Sequence, residues 1–348
     1  MAKNNKQTRN RNKQYPFVSI CTPTFNRRPF YSMIIECFRH QTYPKDRMEW
    51  VIIDDGTDKI EDLVKDIPQV KYYKYEEKMN LGKKRNLMHE KAKGEIIVYM
   101  DDDDYYPPER VSHCVETLKA NPNKLIAGSS EMYIFFKHIQ KMYKFGPYGP
   151  NHSTAATFAF RKELLKQTKY EDGVALAEER SFLKDYTIPF VQMDSTKTIL
   201  VFSHVHNSFD KKKLLEDIGP HNPYITETTK TVDDLVKEPT IKKFFMEDID
   251  GLLENYHPGK PENKPEVLKQ MDEIKVKREK MIMEHQFQQQ IQQYQARFEE
   301  QHRVIEGFMK ENGELKTKIT YLETQIKKLI DDKIKERKTA SGMVSLDP

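Results

Sequence analysis

Several features that mark large protein classes are missing from this chain. No apolar run exceeds about five residues, as in Met132-Tyr133-Ile134-Phe135-Phe136, whereas a bilayer-spanning helix needs about 20. The first fifteen residues carry Lys3, Lys6, Arg9, Arg11 and Lys13, but no apolar stretch follows to make a secretory signal. Such a tail reads as disordered, and nucleic-acid binding, which would rest on it alone, is not expected. Three cysteines, Cys21, Cys37 and Cys114, show no CxxC spacing, and their odd number leaves one unpaired, so a reducing compartment fits. Net charge is +4 from 58 basic and 54 acidic residues, too balanced for a strong global field. The expectation is a soluble, cytoplasmic protein without a transmembrane segment, with peripheral attachment to a membrane left open.

What the chain does have is four consecutive aspartates, Asp101 to Asp104, directly after the apolar run Ile96-Ile97-Val98-Tyr99-Met100. Two ionised carboxylates about 6 Å apart repel by roughly 3 kcal/mol at an effective dielectric near 20. A hard divalent cation, Mg2+ or Mn2+, would offset that cost. The bland alternative is a solvated acidic turn, which the buried strand ahead and Tyr105-Tyr106-Pro107-Pro108 behind make unattractive.

From Phe17 to about Lys119 strands alternate with helices. The pattern predicts strands over Phe17–Thr22, Glu49–Asp54, Val70–Tyr75 and Glu95–Met100. It predicts helices over Phe30–Gln41, Asp58–Lys65, Leu81–Lys93 and Pro108–Lys119. Such βαβ units imply a largely parallel sheet flanked by helices, an α/β fold whose ligands sit beyond the carboxyl ends of the strands. Three polar segments reach that edge: Thr22-Pro23-Thr24, Asp54-Asp55-Gly56 and the aspartate cluster. Further on, Leu125–Phe136, Thr154–Phe160 and Thr198–Ser203 read as strands, and Arg161–Gln167, Val174–Tyr186 and Thr231–Tyr256 as helices. His257–Glu266, with Pro258, Pro261 and Pro265, reads as a linker.

Past the linker the apolar period becomes seven. Ile291, Phe298, Ile305, Asn312, Ile319 and Ile326 form one series, and Phe287, Tyr294, Gln301, Phe308, Leu315, Leu322 and Leu329 the other. Spacings of three and four alternate strictly, the a/d seam of a coiled coil, and Ile at a with Leu at d favours parallel dimers. Asn312 would set register, and the pairs Glu311–Lys316 and Lys318–Glu323 suit g-to-e′ contacts. The expected division is a basic tail over 1–15, a catalytic domain over 16–230, and a helical extension with linker over 231–266. A coiled-coil helix over 267–338 and a short tail over 339–348 complete it.

FVSICTPTFNR, WVIIDDGTD, NLGKKRNL and GEIIVYMDDDDYYPPERV, in that order and at those strand ends, resemble the family 2 glycosyltransferases, enzymes of the GT-A fold that use nucleotide-diphosphate sugars. The resemblance covers about Pro16 to Asp210. It implies that Pro23 and Thr24 line the base and ribose, and that Asp55 accepts a hydrogen bond from a uracil ring. Arg85 would face the donor, and Lys83 would help neutralise phosphate. Asp101 and Asp103 would occupy the two motif aspartates, Asp103 as first metal ligand, with Asp102 near the ribose or sugar. Ala177-Glu178-Glu179-Arg180 resembles the segment whose second acid deprotonates the acceptor hydroxyl; that acid is Glu179 here, with Glu178 as fallback, where the family usually has aspartate. His204-Val205-His206-Asn207-Ser208 resembles an element that adds a histidine to the metal, a spacing that selects His204 and leaves His206 as the alternative. His152 and Thr154 would wall the acceptor or sugar pocket, with His206 near.

The implied activity is inverting transfer from a UDP-sugar to a hydroxyl of a glycan or glycoconjugate, with Mn2+ or Mg2+ as cofactor and a second copy of the chain as partner. Two rivals remain in view. A catalytically inactive, sugar-nucleotide-binding coiled-coil scaffold would hydrolyse no donor. A sugar nucleotidyltransferase would carry a glycine-rich loop where Thr22-Pro23-Thr24-Phe25-Asn26 has none.

Overall fold

A computed structural model describes residues 14–219 and 222–341. The expected tails fall for the most part outside this range. The described chain forms two units, one ending at Asp272 and one beginning at Glu273.

The first unit is built on a seven-stranded sheet. Its strands are β1 (Val18–Thr24), β2 (Met48–Asp54), β3 (Val70–Lys74), β4 (Ile96–Tyr99), β5 (Ile126–Gly128), β8 (Ala159–Arg161) and β9 (Phe190–Gln192), in the order β3-β2-β1-β4-β8-β5-β9. β1 pairs in parallel with both β2 and β4, so the chain reverses its direction of spread beside β1. That is a topological switch point, where the crevice for a ligand opens. β8 runs antiparallel between β4 and β5. A second sheet has the order β10-β6-β7-β11, from β6 (Met132–Phe136), β7 (Lys141–Phe145), β10 (Leu200–Ser203) and β11 (Ile225–Glu227).

All seven residues of β1 and of β2 are buried, as both faces of a central parallel strand must be. Trp50, fully buried on β2, stacks on Phe38 with ring centroids 4.8 Å apart. Its indole nitrogen donates to Thr22 Oγ1 at 2.8 Å, and that hydroxyl donates to Met100 O at 2.6 Å. The core therefore ties the end of β1 to the start of the aspartate run. Behind the run, Tyr106 Oη accepts from Asp101 N at 2.7 Å, and the Arg110 guanidinium donates to Tyr99 O and Phe158 O, each at 3.1 Å.

The second half departs from the sequence expectations in instructive ways. Leu125–Phe136 divides into β5 and β6, which enter different sheets across Ser129-Ser130. Only Glu179–Phe182 of the expected helix Val174–Tyr186 is helical. Ala177 precedes it at φ 54°, and Lys184, Asp185 and Tyr186 follow at 50°, 53° and 61°, a left-handed backbone that ends any helix. Arg161–Gln167 makes a 3-10 turn over Lys162–Lys166. His257–Glu266 is no free linker: it packs against the loops after β1 and β10, as described below.

Pro265–Ser341 is one continuous helix of 77 residues, about 115 Å long at 1.5 Å per residue. Its first turns, through Asp272, belong to the first unit. In the second unit the heptad positions stand open to solvent, with Phe287 and Phe308 each 60% and Leu329 67% exposed. Among the described residues no helix is long and apolar enough to cross a membrane.

Candidate active site

The end of β1, the run after β4 and the start of helix Leu81–Lys91 meet in a cleft of about 160 Å³. Pro23, Arg85, Asp101, Asp102 and Asp103 line it, joined by Arg27, Lys78, Lys84 and Lys264. Four aspartates in sequence do not share one environment. Asp103 makes an ion pair with Arg27 Nη2 at 3.3 Å and lies 3.5 Å from His204 Nε2. Burial works against its charge, but Arg27 and His204 hold its carboxyl well below the usual range. Asp102 is pushed up to about 7 by burial, against the pull of Arg27, whose Nε is 3.7 Å away. Asp104 is driven well above its ordinary value by burial and then by Asp103. The peptide run thus presents one firmly ionised carboxylate, Asp103, among neighbours that resist ionisation.

Asp101 faces Arg85. That arginine is 2% exposed, donates from Nε to Glu178 Oε1 at 2.8 Å, and reaches to 3.6 Å from Asp101 Oδ1 with Nη2. Its guanidinium lies 4.5 Å from the Tyr99 ring centroid. One planar cation therefore bridges the aspartate run and the short acidic helix, the kind of fork geometry that a lysine cannot supply. Among the described residues Asp101 Oδ1 and Arg85 Nη1 are buried without a hydrogen-bond partner. With Glu178 engaged, Glu179 is the less committed of the two acids. Its carboxyl is pushed up to about 7 by burial, and the charge of Glu178 adds to the effect.

The two aspartates after β2 divide their work. Asp54 Oδ1 accepts from Gly56 N at 2.9 Å, and Oδ2 accepts from Ile60 N at 3.1 Å and Tyr72 Oη at 2.6 Å, so it shapes the turn. Asp55 is fully buried; Met79 N donates to Oδ2 and Lys84 Nζ to Oδ1, both at 2.6 Å. Both its oxygens are already engaged, and it does not present an open edge to a base. Lys83, expected beside phosphate, is exposed on the outer face of helix Leu81–Lys91; Lys84 is the lysine that turns inward. Helical phase could have shown this, since Leu81, Lys84, Arg85 and Met88 share the i, i+3, i+4, i+7 face.

His204 is neutral at ordinary pH, held down to about 4 by burial. Its Nδ1 accepts from His206 N at 3.2 Å, and the ring packs 4.8 Å from Phe30. His206 is tied to Arg27, the partner of Asp102 and Asp103. Its ring stacks on Tyr256 at 6.1 Å, and its carbonyl accepts from Arg27 Nη2 at 2.8 Å. His152 lies in a separate aromatic cluster, 4.9 Å from both Tyr148 and Tyr186. Thr154, half-buried, sits on the same stretch, just before the turn Ala155–Thr157, and Thr24 is buried with its carbonyl accepting from Lys84 Nζ at 3.2 Å. Arg27, Lys78, Lys84 and Lys264 were not singled out from the sequence. Arg27 is the last residue of the strand-one motif, whereas nothing local marks Lys264.

Sheet order, switch point and aspartate-bearing strand end give a mixed α/β sheet flanked by helices that resembles the GT-A fold, followed by a long helix. The family model "Glycosyl transferase family 2" matches residues 19–184. The chain is 30% identical over 104 residues to the poly(ribitol-phosphate) beta-N-acetylglucosaminyltransferase TarS of Staphylococcus aureus, a match spanning 26% of this chain and 17% of that protein. It is 27% identical over 117 residues to a glucosyl-dolichyl phosphate glucuronosyltransferase of Haloferax volcanii, covering 32% and 37%. Among solved structures, S. aureus TarS 1-349 in complex with UDP-GlcNAc gives a TM-score of 0.44 at 19% identity over 54% of this chain and 59% of that one. The chain thus spans well under half the length of these curated relatives.

Exchanging the two neighbouring lysines separates their roles. Lys84→Met leaves the buried Asp55 carboxylate without its cation and should lower unfolding free energy by about 3–5 kcal/mol. Lys83→Met should change it by no more than about 0.5 kcal/mol. Urea unfolding of both variants makes the comparison; equal effects would contradict the inward placement of Lys84.

Proposed function

We propose that this chain is a metal-dependent, inverting glycosyltransferase that moves a sugar from a nucleoside-diphosphate donor, UDP in the first instance, to a hydroxyl of a glycan or glycoconjugate. The observation that carries the reading is the Arg85 bridge. It joins the aspartate run, where a donor's pyrophosphate would lie, to the acidic helix that would serve the acceptor. The names of the relatives, an N-acetylglucosaminyltransferase and a glucuronosyltransferase, support the same class of reaction.

Among the described residues no group of three or more His, Cys, Asp or Glu side chains is arranged to hold an ion alone. Asp103 with His204, and the unpartnered Asp101 Oδ1 nearby, make a partial donor set of oxygen and imidazole that suits Mn2+ or Mg2+ and leaves places for phosphate oxygens. Asp103 is the stronger ligand. His204 Nε2 lies 2.8 Å from Asn207 Nδ2 and 3.5 Å from Asp103, so the Asn207 amide would have to give way before that nitrogen could bind. When bound, the cation supplies Lewis-acid stabilisation of the leaving nucleoside diphosphate.

The protein's own groups do the rest. Arg85 aligns Glu178, and burial, with the charge of Glu178 beside it, keeps Glu179 reluctant to ionise and therefore basic. Glu179 removes the proton from the acceptor hydroxyl, whose oxygen attacks the anomeric carbon on the face opposite the departing diphosphate. A base with a pKa near neutrality suits that step.

The long helix is proposed to associate with a second copy as a parallel coiled coil. Heptad residues that stand open along an isolated helix need a partner face, and Asn312 and the charge pairs favour a like chain in register.

Three measurements test these readings. Because Glu179 must be unprotonated, turnover, followed as nucleoside diphosphate release, should rise about tenfold per pH unit up to about 7 and then level off. Glu179→Gln should lower kcat by about 10²–10⁴ and remove that limb; an unchanged profile would exclude Glu179 as base. Donor at 100 times its Kd should add about 2.7 kcal/mol of stability in the presence of Mn2+. Asp103→Asn should lose the metal-dependent part of that gain, and undiminished metal-dependent binding would remove Asp103 from the site. A chain ending at Asp272 should be monomeric by light scattering and still release nucleotide; a persistent dimer would place the interface in the globular unit.

A further inference from the structure

The segment after Glu254 lies beyond the residues matched by the family model, yet it is fastened across the cleft. Asn26 Nδ2 donates to Pro258 O at 3.0 Å, Arg27 Nη1 to Gly259 O at 3.2 Å, and Lys78 Nζ to Asn263 O at 2.7 Å. Glu266 pairs with Lys78 at 2.7 Å, and Gln270 Oε1 accepts from Ala175 N at 2.9 Å. The approach is close: a Cβ on Gly259 would stand 2.7 Å from Asn26 O and 2.8 Å from His206 Nδ1.

This fastening brings Lys264, only 8% exposed, into the cleft wall beside Arg27 and the aspartates. The other cations there already have carboxylate partners. Arg27 faces Asp102 and Asp103, Lys84 holds Asp55, Arg85 holds Glu178, and Lys78 holds Glu266. Lys264 differs. Its hydrogen bond goes to a hydroxyl, Ser208 Oγ at 2.8 Å, and burial, then Arg27, push its ammonium down to about 7 against the weaker pull of Asp102 and Asp103. An ammonium carries three donors, and a buried one is costly until an anion completes its shell.

We propose that Lys264 binds the diphosphate of the nucleotide donor, so that the segment Pro258–Val267 is part of the donor site. The inference rests on the nucleotide-sugar reading above. A diphosphate offers several charged acceptor oxygens in a cleft whose remaining uncommitted cation is Lys264, and charge-assisted bonds of this kind are the strong ones. The role falls to a residue eighty positions beyond the family match, on the turn that opens the long helix.

The test uses the full chain with Mn2+ and calorimetric titration of UDP, GDP, and the corresponding nucleosides. Lys264→Met should weaken the diphosphate by at least about tenfold and the nucleoside by less than about twofold, and Lys264→Arg should keep most of the affinity. If the methionine variant folds poorly, Lys264→Gln keeps a polar partner for Ser208 without the charge and carries the same comparison. Diphosphate affinity within about twofold of wild type, or equal losses for nucleoside and diphosphate, would overturn the assignment and leave Lys264 as a structural prop. A wild-type chain that binds neither UDP nor GDP would instead remove the nucleotide-sugar reading, and this inference with it.

Discussion

The site depends on a buried cation held between two acidic groups that come from distant parts of the chain. Arg85 would be intolerable in the core alone, since removing a guanidinium from water costs several kcal/mol. Glu178 at 2.8 Å and Asp101 at 3.6 Å make it tolerable, and in return it fixes both. This contact fixes the acidic end of the short helix, while Phe182 at its other end is anchored on Tyr170. The helix is one turn long, bounded by left-handed residues, and too short to persist on its own hydrogen bonds.

The first half of the fold was legible because its signals are local. Buried parallel strands are continuous apolar runs, and the polar residues that break them mark the rim of the sheet. The aspartate cluster, the β2 turn and the Arg85 helix could all be located this way. What sequence could not assign was which member of a like-charged run does what. Asp101 to Asp104 are chemically identical, and only Arg27, Arg85 and His204, from other elements, separate them into an ionised ligand candidate and reluctant neighbours. Lys83 and Lys84 pose the same problem on a smaller scale, with helical phase deciding between them.

The second half was less legible for a different reason. Val174–Tyr186 has the composition of a helix, but Tyr170 and Phe182 stack at 4.3 Å and draw the chain into a compact turn. That is tertiary packing overriding propensity. His257–Glu266 reads as linker from its prolines, yet prolines also stiffen a segment that must lie in one fixed path. The bonds from Asn26, Arg27 and Lys78 that fasten it are to backbone carbonyls, which no side-chain pattern in the segment could announce.

Gly259 carries a practical consequence. Its backbone passes so near Asn26 and His206 that the following residues form one wall of the cleft, from chain outside the family match. A chain trimmed to the residues that the family model matches would lack the wall that Lys264, Glu266 and Val267 build.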